Sequence, residues 1–583
     1  MKVRIFGGFA VLALVAYAVV SAVRTRPFSP AADVPRGALI YLQIEDLPGF
    51  IKLWNQSSFK EKYLESQNFD GLSKRHLGLK IASRWQEFSD ALGMPIDADV
   101  VASLADKRAA IAVYDIGMLD IVFVAPMNDA TFEATKLMHG SDKFDSEQLD
   151  DGTEIYRVDV DADKGRQKQQ ILFAHVKGRL IVATSEKLLA QTVSIITGRL
   201  KKNALVDDPA FSTLAARIPP KTAAVWVDQT ALNADYYFKR YWLMSDIGSL
   251  KNIRSGMFDL SISDKEVVED REFLLKESIA VAAVSPVDAR QLMSRAPVDA
   301  PYYKIERATS AVMNSALASV VSLGGQGNVS TASYTGRRFT DASYDDDYSS
   351  DKFEKYINAT DEDAVTAPLK DDAEVYLAAS VESAAPRAVL TLERSHAEQE
   401  PLFVDFDRAV VVKLASPRAF DRTGFEKALS DALATRLLVR GQKLDSQWVT
   451  KTDKDVSWRE LATPVLDWDV DYAVQGDQLI VSNEREFLSQ VLATRGRLSN
   501  AGAGQYSDIT VLRPAKIRAD FQSTFERLAP AADDFFTGNI LSLFDSAPTI
   551  EKIEKSRSSQ GNILREQLRI ILRSDAQNEK ATE

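Results

Sequence analysis

Three groups of residues are spaced as if for chemistry: alternating aspartates, four separate histidines and one dense aromatic run. Asp159, Asp161 and Asp163, followed by Gly165, begin like a calcium-binding loop. The helix–loop–helix calcium motif needs glycine at its sixth position and glutamate at its twelfth, where this chain has Lys164 and Gln170. Carboxylates at alternate positions share one face of a strand, where water solvates them well. Asp467, Asp469 and Asp471 read the same way, and Asp345, Asp346 and Asp347 read as a solvated acidic loop. No metal site and no cofactor is expected.

The histidines are His76, His139, His175 and His396, none of them spaced to pair with another. His175 alternates with apolar neighbours on a strand and reads as structural. There is no G-x-S-x-G elbow and no phosphate-binding loop. Ser57, Ser58, Phe59 and Lys60 match S-x-x-K, a pattern short enough to occur by chance, and its companion motifs are missing. No catalytic residue is assigned. An acid–base carboxylate pair needs only proximity in space, which spacing does not test.

The aromatic run is DYYFKRYWLM at residues 235–244. Tyr236, Tyr237, Tyr241 and Trp242 are the candidate binding residues, because rings beside cations stack on sugars or peptides and suit a membrane interface. The competing reading is a helix that buries Tyr237, Tyr241 and Met244.

These residues must be positioned by a long chain of 583 residues with 45% hydrophobic and 26% charged residues, a globular composition sufficient for several domains. The net charge of −12 repels phosphate backbones, so nucleic acid is not an expected partner. The absence of cysteine removes disulfides, thiolate metal sites and cysteine nucleophiles, and suits an oxidising compartment. Ile5 to Val23 is an uncharged run of 19 residues between Lys2 and Arg4 on one side and Arg24 and Arg26 on the other. As a helix it spans roughly 28 Å, close to the hydrocarbon thickness of a bilayer. The expectation is a single-pass anchor in the inner (cytoplasmic) membrane, with the bulk of the chain periplasmic. A cleaved signal peptide, cut after Val20, Ser21 and Ala22, is the alternative.

Residues 173–200 (FAHVKGRLIVATSEKLLAQTVSIITGRL) and 472–498 (YAVQGDQLIVSNEREFLSQVLATRGRL) repeat one pattern: strand, glycine turn, strand, amphipathic helix. The match extends upstream, pairing Ile121–Ala125 with Val410–Ala415 and, further back, Ala38–Ile44 with a strand at Ala373–Ala379. Strands following a proline are expected after Pro35, Pro219, Pro297, Pro368 and Pro514. The predicted fold is therefore α+β: an N-terminal transmembrane helix followed by duplicated α+β domains with mainly antiparallel sheets. Its boundaries are an anchor at 1–26, a tether at 27–36, and a first repeat at 37–322 with a helical insertion near 47–95. A linker at 323–365, a second repeat at 366–548 and a C-terminal amphipathic helix and tail at 549–583 complete the plan.

In outline, and through GRLIVATSEKLL (178–189) and GDQLIVSNEREFL (476–488), the chain resembles bacterial membrane-anchored envelope proteins grouped as duplicated domains of unknown function. That resemblance implies a periplasmic, non-enzymatic role and transfers no site. The expected function is a structural or protein-interaction component of the bacterial cell envelope with a protein partner. The alternatives are a carrier for a lipid, glycan or peptide, and an envelope hydrolase.

Overall fold

The computed structural model describes residues 29–57, 60, 64, 76–139, 144–149, 152–160, 169–235, 252–263, 265–278, 283–321, 373–395, 406–437, 447–453, 456–462, 469–494, 506–519 and 550–573. The chain forms two compact units, the first built mainly from His76–Tyr241 with the segment before Ser57, the second mainly from Leu260–Glu583.

The first unit is organised by eight strands: β1 (Ile40–Ile44), β2 (Ala109–Asp115), β3 (Asp120–Pro126), β4 (Asp145–Gln148), β5 (Glu154–Val160), β6 (Gln169–His175), β7 (Arg179–Ala183) and β8 (Ala223–Val227). They lie in the order β8-β1-β2-β3-β7-β6-β5-β4, each pair antiparallel. Helices α1 (Leu47–Gln56), α2 (His76–Leu92), α3 (Ala98–Ser103), α4 (Asp129–Glu133), α5 (Lys136–His139), α6 (Glu186–Thr197), α7 (Pro209–Ala215) and α8 (Gln229–Ala234) connect them. Their starts are set locally. Asp46, Asp97, Asn128, Asp208 and Asp228 each accept hydrogen bonds from backbone N–H groups that the first turn leaves without a partner. The turn between β6 and β7 holds Lys177 at φ 48° and Gly178 at φ 72°, the left-handed pair a tight hairpin needs. One core joins Phe88 and Leu92 of α2 to Phe132, Phe144, Phe173 and Leu180.

The second unit repeats this order. Strands β11 (Tyr302–Arg307), β12 (Pro386–Ser395), β13 (Phe406–Leu414), β14 (Gln447–Asp453), β15 (Val456–Ala462), β16 (Asp469–Gln475), β17 (Gln478–Ser482) and β18 (Asp508–Leu512) run β18-β11-β12-β13-β17-β16-β15-β14. This is the first unit's order with β11 in the place of β1. Helices α10 (Ser310–Val320), α11 (Ala373–Glu382) and α12 (Arg422–Leu437) bury Leu317, Val381 and Phe425 against one face. On the other face, α9 (Pro286–Met293) and α13 (Arg485–Ala493) bury Leu292, Phe487 and Val491.

Beyond β18 the sheet continues through β19 (Ile550–Gln560), β20 (Ile563–Leu572) and β10 (Glu266–Leu275), the strand that follows β9 (Ile253–Ile262) along the chain. Cross-strand partners place Glu306, Asp508, Arg557, Glu566 and Arg271 in one row across five strands. The Arg557 Nε is 2.8 Å from Glu566 and 3.8 Å from Asp508, and Arg271 reaches Glu566 at 3.7 Å. Burial disfavours the Glu566 charge, but Arg557 and Lys555 outweigh it and hold the carboxyl below its usual range.

Several expectations need correction. The fold is mostly antiparallel sheet, where α+β domains headed by an N-terminal transmembrane helix were expected. Among the described residues no helix is long and apolar enough to cross a membrane, and Ile5–Val23 lies outside them. The segment Ala373–Ala379, expected as a strand, belongs to helix α11; Leu377, Ala378 and Val381 bury at helical spacing. The strand expected after Pro514 is helical at 514–519. The amphipathic helix expected from Ile550 to Leu572 is instead the β19–β20 hairpin, turned at Gly561 with φ 61°, and the tail expected after it lies outside the described residues.

Candidate functional site

The four aromatic candidates, Tyr236, Tyr237, Tyr241 and Trp242, lie outside the described residues, as do Asp161, Asp163, Asp345–Asp347, Asp467 and His396. Asp159 sits on β5 and accepts a hydrogen bond from the Gln170 amide at 2.9 Å. Asp471 does not stand in water as expected: it is fully buried on β16, flanked across the strands by Glu460 and Ser482. His175 stacks on Phe132 with centroids 4.8 Å apart. Its Nε2 lies 2.7 Å from the Met127 carbonyl and its Nδ1 3.3 Å from Asp129. Among the described residues, no three His, Asp or Glu side chains are grouped to hold a metal ion.

His175, Lys177, Arg199 and Glu154 line an open depression of about 550 Å³. Charged groups and a backbone turn form its rim, and it is a hollow in the surface rather than an enclosed chamber.

The two units differ most where β4–β7 and β14–β17 correspond. Under α4, Phe173 packs against Tyr156 at 4.8 Å, Phe144 at 4.9 Å and Phe132 at 6.3 Å. Under α12, Tyr472 takes the corresponding place, with Phe425 at 5.2 Å and Trp448 at 5.3 Å. Here a polar group enters the aromatic cluster. The Tyr472 hydroxyl donates to Glu426 at 2.7 Å, and Arg459 holds the same carboxylate through two hydrogen bonds of 2.7 and 3.0 Å. The Trp448 indole donates to the Glu426 carbonyl at 3.1 Å. Burial alone would raise the Glu426 pKa, yet Arg459 and Tyr472 outweigh it and hold the carboxyl below its ordinary value. This arrangement locks α12 onto β14, β15 and β16.

A pH dependence follows. With a depressed folded pKa, the stabilisation from Glu426 is complete above its unfolded pKa of about 4.3 and is lost as pH falls through the folded pKa. The expected result is that Glu426→Gln lowers the unfolding midpoint of this unit near neutral pH. The gap from wild type should narrow steadily below about pH 5. A constant gap from pH 7 to pH 3, followed by urea denaturation at each pH, would remove the charge-based account.

The sheets also expose matching ends. Among the described residues, β4 pairs only with β5, and β14 only with β15. All four residues of β4 are exposed, including Asp145 and Glu147. On β14, Val449 is 43% exposed. The Lys451 side chain, 42% exposed, reaches Glu460 at 3.2 Å, a carboxylate that Arg485 also engages. One acid thus faces two cations, while exposed Asp453, two residues beyond Lys451, puts an acid on the same face of β14; the β4 end carries two acids and no cation of its own. Neither edge was singled out by sequence reasoning. The signal in WVTKTD (448–453) was a β-branched run with a central lysine, the composition of a protected edge strand.

No family model matches the chain, and no curated protein matches it. Among solved structures it is similar to crystal forms III, I and IV of TP0453, at 12%, 11% and 10% identity and TM-scores of 0.24, 0.24 and 0.23. These likenesses cover 46%, 46% and 42% of this chain and 87%, 86% and 81% of those chains. At such scores they assign neither fold nor function.

Proposed function

We propose that this chain is a structural, protein-interaction component of the bacterial cell envelope, with its folded units on the extracytoplasmic side. The observation that carries the reading is the pair of sheet ends, β4 and β14, each hydrogen-bonded on one side among the described residues. An edge of this kind recruits a partner by strand addition: main-chain hydrogen bonds supply affinity, and alternate side chains supply selectivity. The cysteine-free composition and the uncharged run Ile5–Val23 support export.

The test is site-specific photo-crosslinking of the full chain in its host envelope, with the reactive residue placed at Ser146 or Val449. A discrete protein adduct is expected from at least one edge; Thr450→Pro, which removes the strand N–H together with the hydroxyl that accepts from Arg459 at 2.8 Å, should abolish the β14 adduct, and Thr450→Val, which loses the hydroxyl alone, should keep it. No protein adduct from either edge, together with a small molecule released on denaturation of the purified chain, would replace this reading by a carrier.

A further inference from the structure

We infer that the first unit rests on an anionic bilayer surface through the basic loop Arg199–Lys202 that follows α6. This goes beyond the strand edges and does not depend on them. The loop is bonded to the chain that leads away from the uncharged run Ile5–Val23, whose residues favour a bilayer over water. Residues 24–28 separate that run from Ser29, a reach of at most about 22 Å in fully extended chain. From Ser29 onward the chain is laid on the first unit. Ala31 and Val34 are buried, the Leu205 N–H donates to the Val34 carbonyl at 3.0 Å, and the Arg36 N–H donates to the Asn203 carbonyl at 2.8 Å. Asp33 binds Arg179 at 3.0 Å beside the β6–β7 turn, and Arg36 binds Asp208 at 3.1 Å. Wherever the uncharged run enters a bilayer, this face of the unit is therefore held within a short reach of the headgroups.

The chemistry of the face suits that neighbour and contrasts with the chain's net charge of −12. Arg199, Lys201 and Lys202 are exposed. Leu200 among them is 36% exposed, although its N–H donates to the Ser194 carbonyl at 2.9 Å and fixes the turn. Lys177 joins the group: its Nζ lies 3.3 Å from the Thr197 carbonyl, and it shares the rim of the open depression with Arg199. The acids close by are mostly engaged. Asp33 and Asp208 are held by the two arginines above, Asp207 accepts from the Ala204 N–H, and Glu154 stands on the rim. Lys177 and Lys202 also hold a left-handed backbone, at φ 48° and 56°, which glycine or asparagine adopts with less strain. Lysine is the costlier residue there, and what it adds is charge. Cations close to an anionic surface are drawn to it, and an apolar side chain among them enters the headgroup layer.

The absence of native cysteine permits one reporter at a time. Full-length chain carrying Leu200→Cys with an environment-sensitive fluorophore is reconstituted into vesicles that bear a nitroxide quencher on the lipid headgroup. Strong quenching is expected when about a third of the lipid is phosphatidylglycerol. It should fall in pure phosphatidylcholine, and in about 1 M salt, where the screening length drops to about 3 Å. A reporter at Lys187→Cys, at the opposite end of α6, should be quenched little throughout. Lys201→Gln with Lys202→Asn should lower the ratio of docked to undocked loop about fivefold for each lysine, whereas arginine at both positions should keep it. Circular dichroism and an unchanged unfolding midpoint confirm that these exposed substitutions leave the fold intact. Equal quenching in both vesicle types, equal quenching at both reporters, no response to losing both lysines, or a chain that floats with neither vesicle would overturn the inference. Photo-crosslinking from Ser146 and Val449 reads the strand edges separately, so that reading stands or falls on its own.

Discussion

Replacing Arg394 by alanine is expected to destabilise the second unit by about 3–5 kcal/mol, the cost of breaking a buried ion pair from one side. Arg394 donates from Nε to Asp407 at 2.8 Å, from Nη2 to Glu484 at 3.2 Å and from Nη1 to Gln490 at 3.1 Å. Its guanidinium also lies 4.5 Å from the centre of the Phe487 ring. The Asp407 side chain is 3% exposed, so without the guanidinium its charge loses a partner in a place water reaches poorly. Glu484 in turn accepts from the N–H groups of Glu486 and Phe487, so the loss also loosens the start of α13. Adding Asp407→Asn to Arg394→Ala should recover a large part of the deficit. A loss below about 1 kcal/mol, read from hydrogen exchange of β13 and α13 amides, would show that the pair is replaceable.

The second large effect is predicted for Phe173→Ala in the first unit. Phe173 is fully buried and touches three aromatic rings. Its truncation removes dispersion contacts and leaves a cavity whose lining is held by β4–β6 and α4, for an expected loss of about 3–5 kcal/mol. Phe173→Leu should cost distinctly less. The effect should be confined to amides of the first unit, because the corresponding cluster around Tyr472 has its own core. Equal acceleration of exchange in both units would contradict that independence.

The sequence made some of this legible for identifiable reasons. The hairpins at Gly178 and Gly476 were readable because a left-handed turn residue stands between apolar runs, and the helices after them because leucines recur at helical spacing. The paired residues Leu180 and Leu479 occupy equivalent hairpin positions, opposite His175 and Val474. What failed was the reading of strands and helices whose periodicity is blurred. Strands β19 and β20 carry charges on both faces, satisfied across strands by Glu566 and Arg557 or by Arg569 and Glu554, so no clean alternation survives in one dimension. Helix α11 is alanine-rich and apolar on several sides, which resembles a buried strand until its neighbours are known. The equivalence of β1 with Tyr302–Arg307 was hidden by sequence divergence and appears only from strand order. The candidate edges were obscure for a different reason: a strand's exposure depends on which strand lies beside it, and that information is nonlocal.

The position of β20 has a consequence for how the second unit is made. It lies between β10 and β19, and Gln567 donates to Asp270 across 297 positions of chain. At translation rates of about 5–20 residues per second, β10 waits on the order of 15–60 s after its synthesis before that neighbour exists. During this interval the edge of β10 that later faces β20 is open to wrong partners, whereas the strand order of the first unit closes between residues 40 and 227. Contact order alone thus predicts that the second unit matures later and depends more on protection during biogenesis.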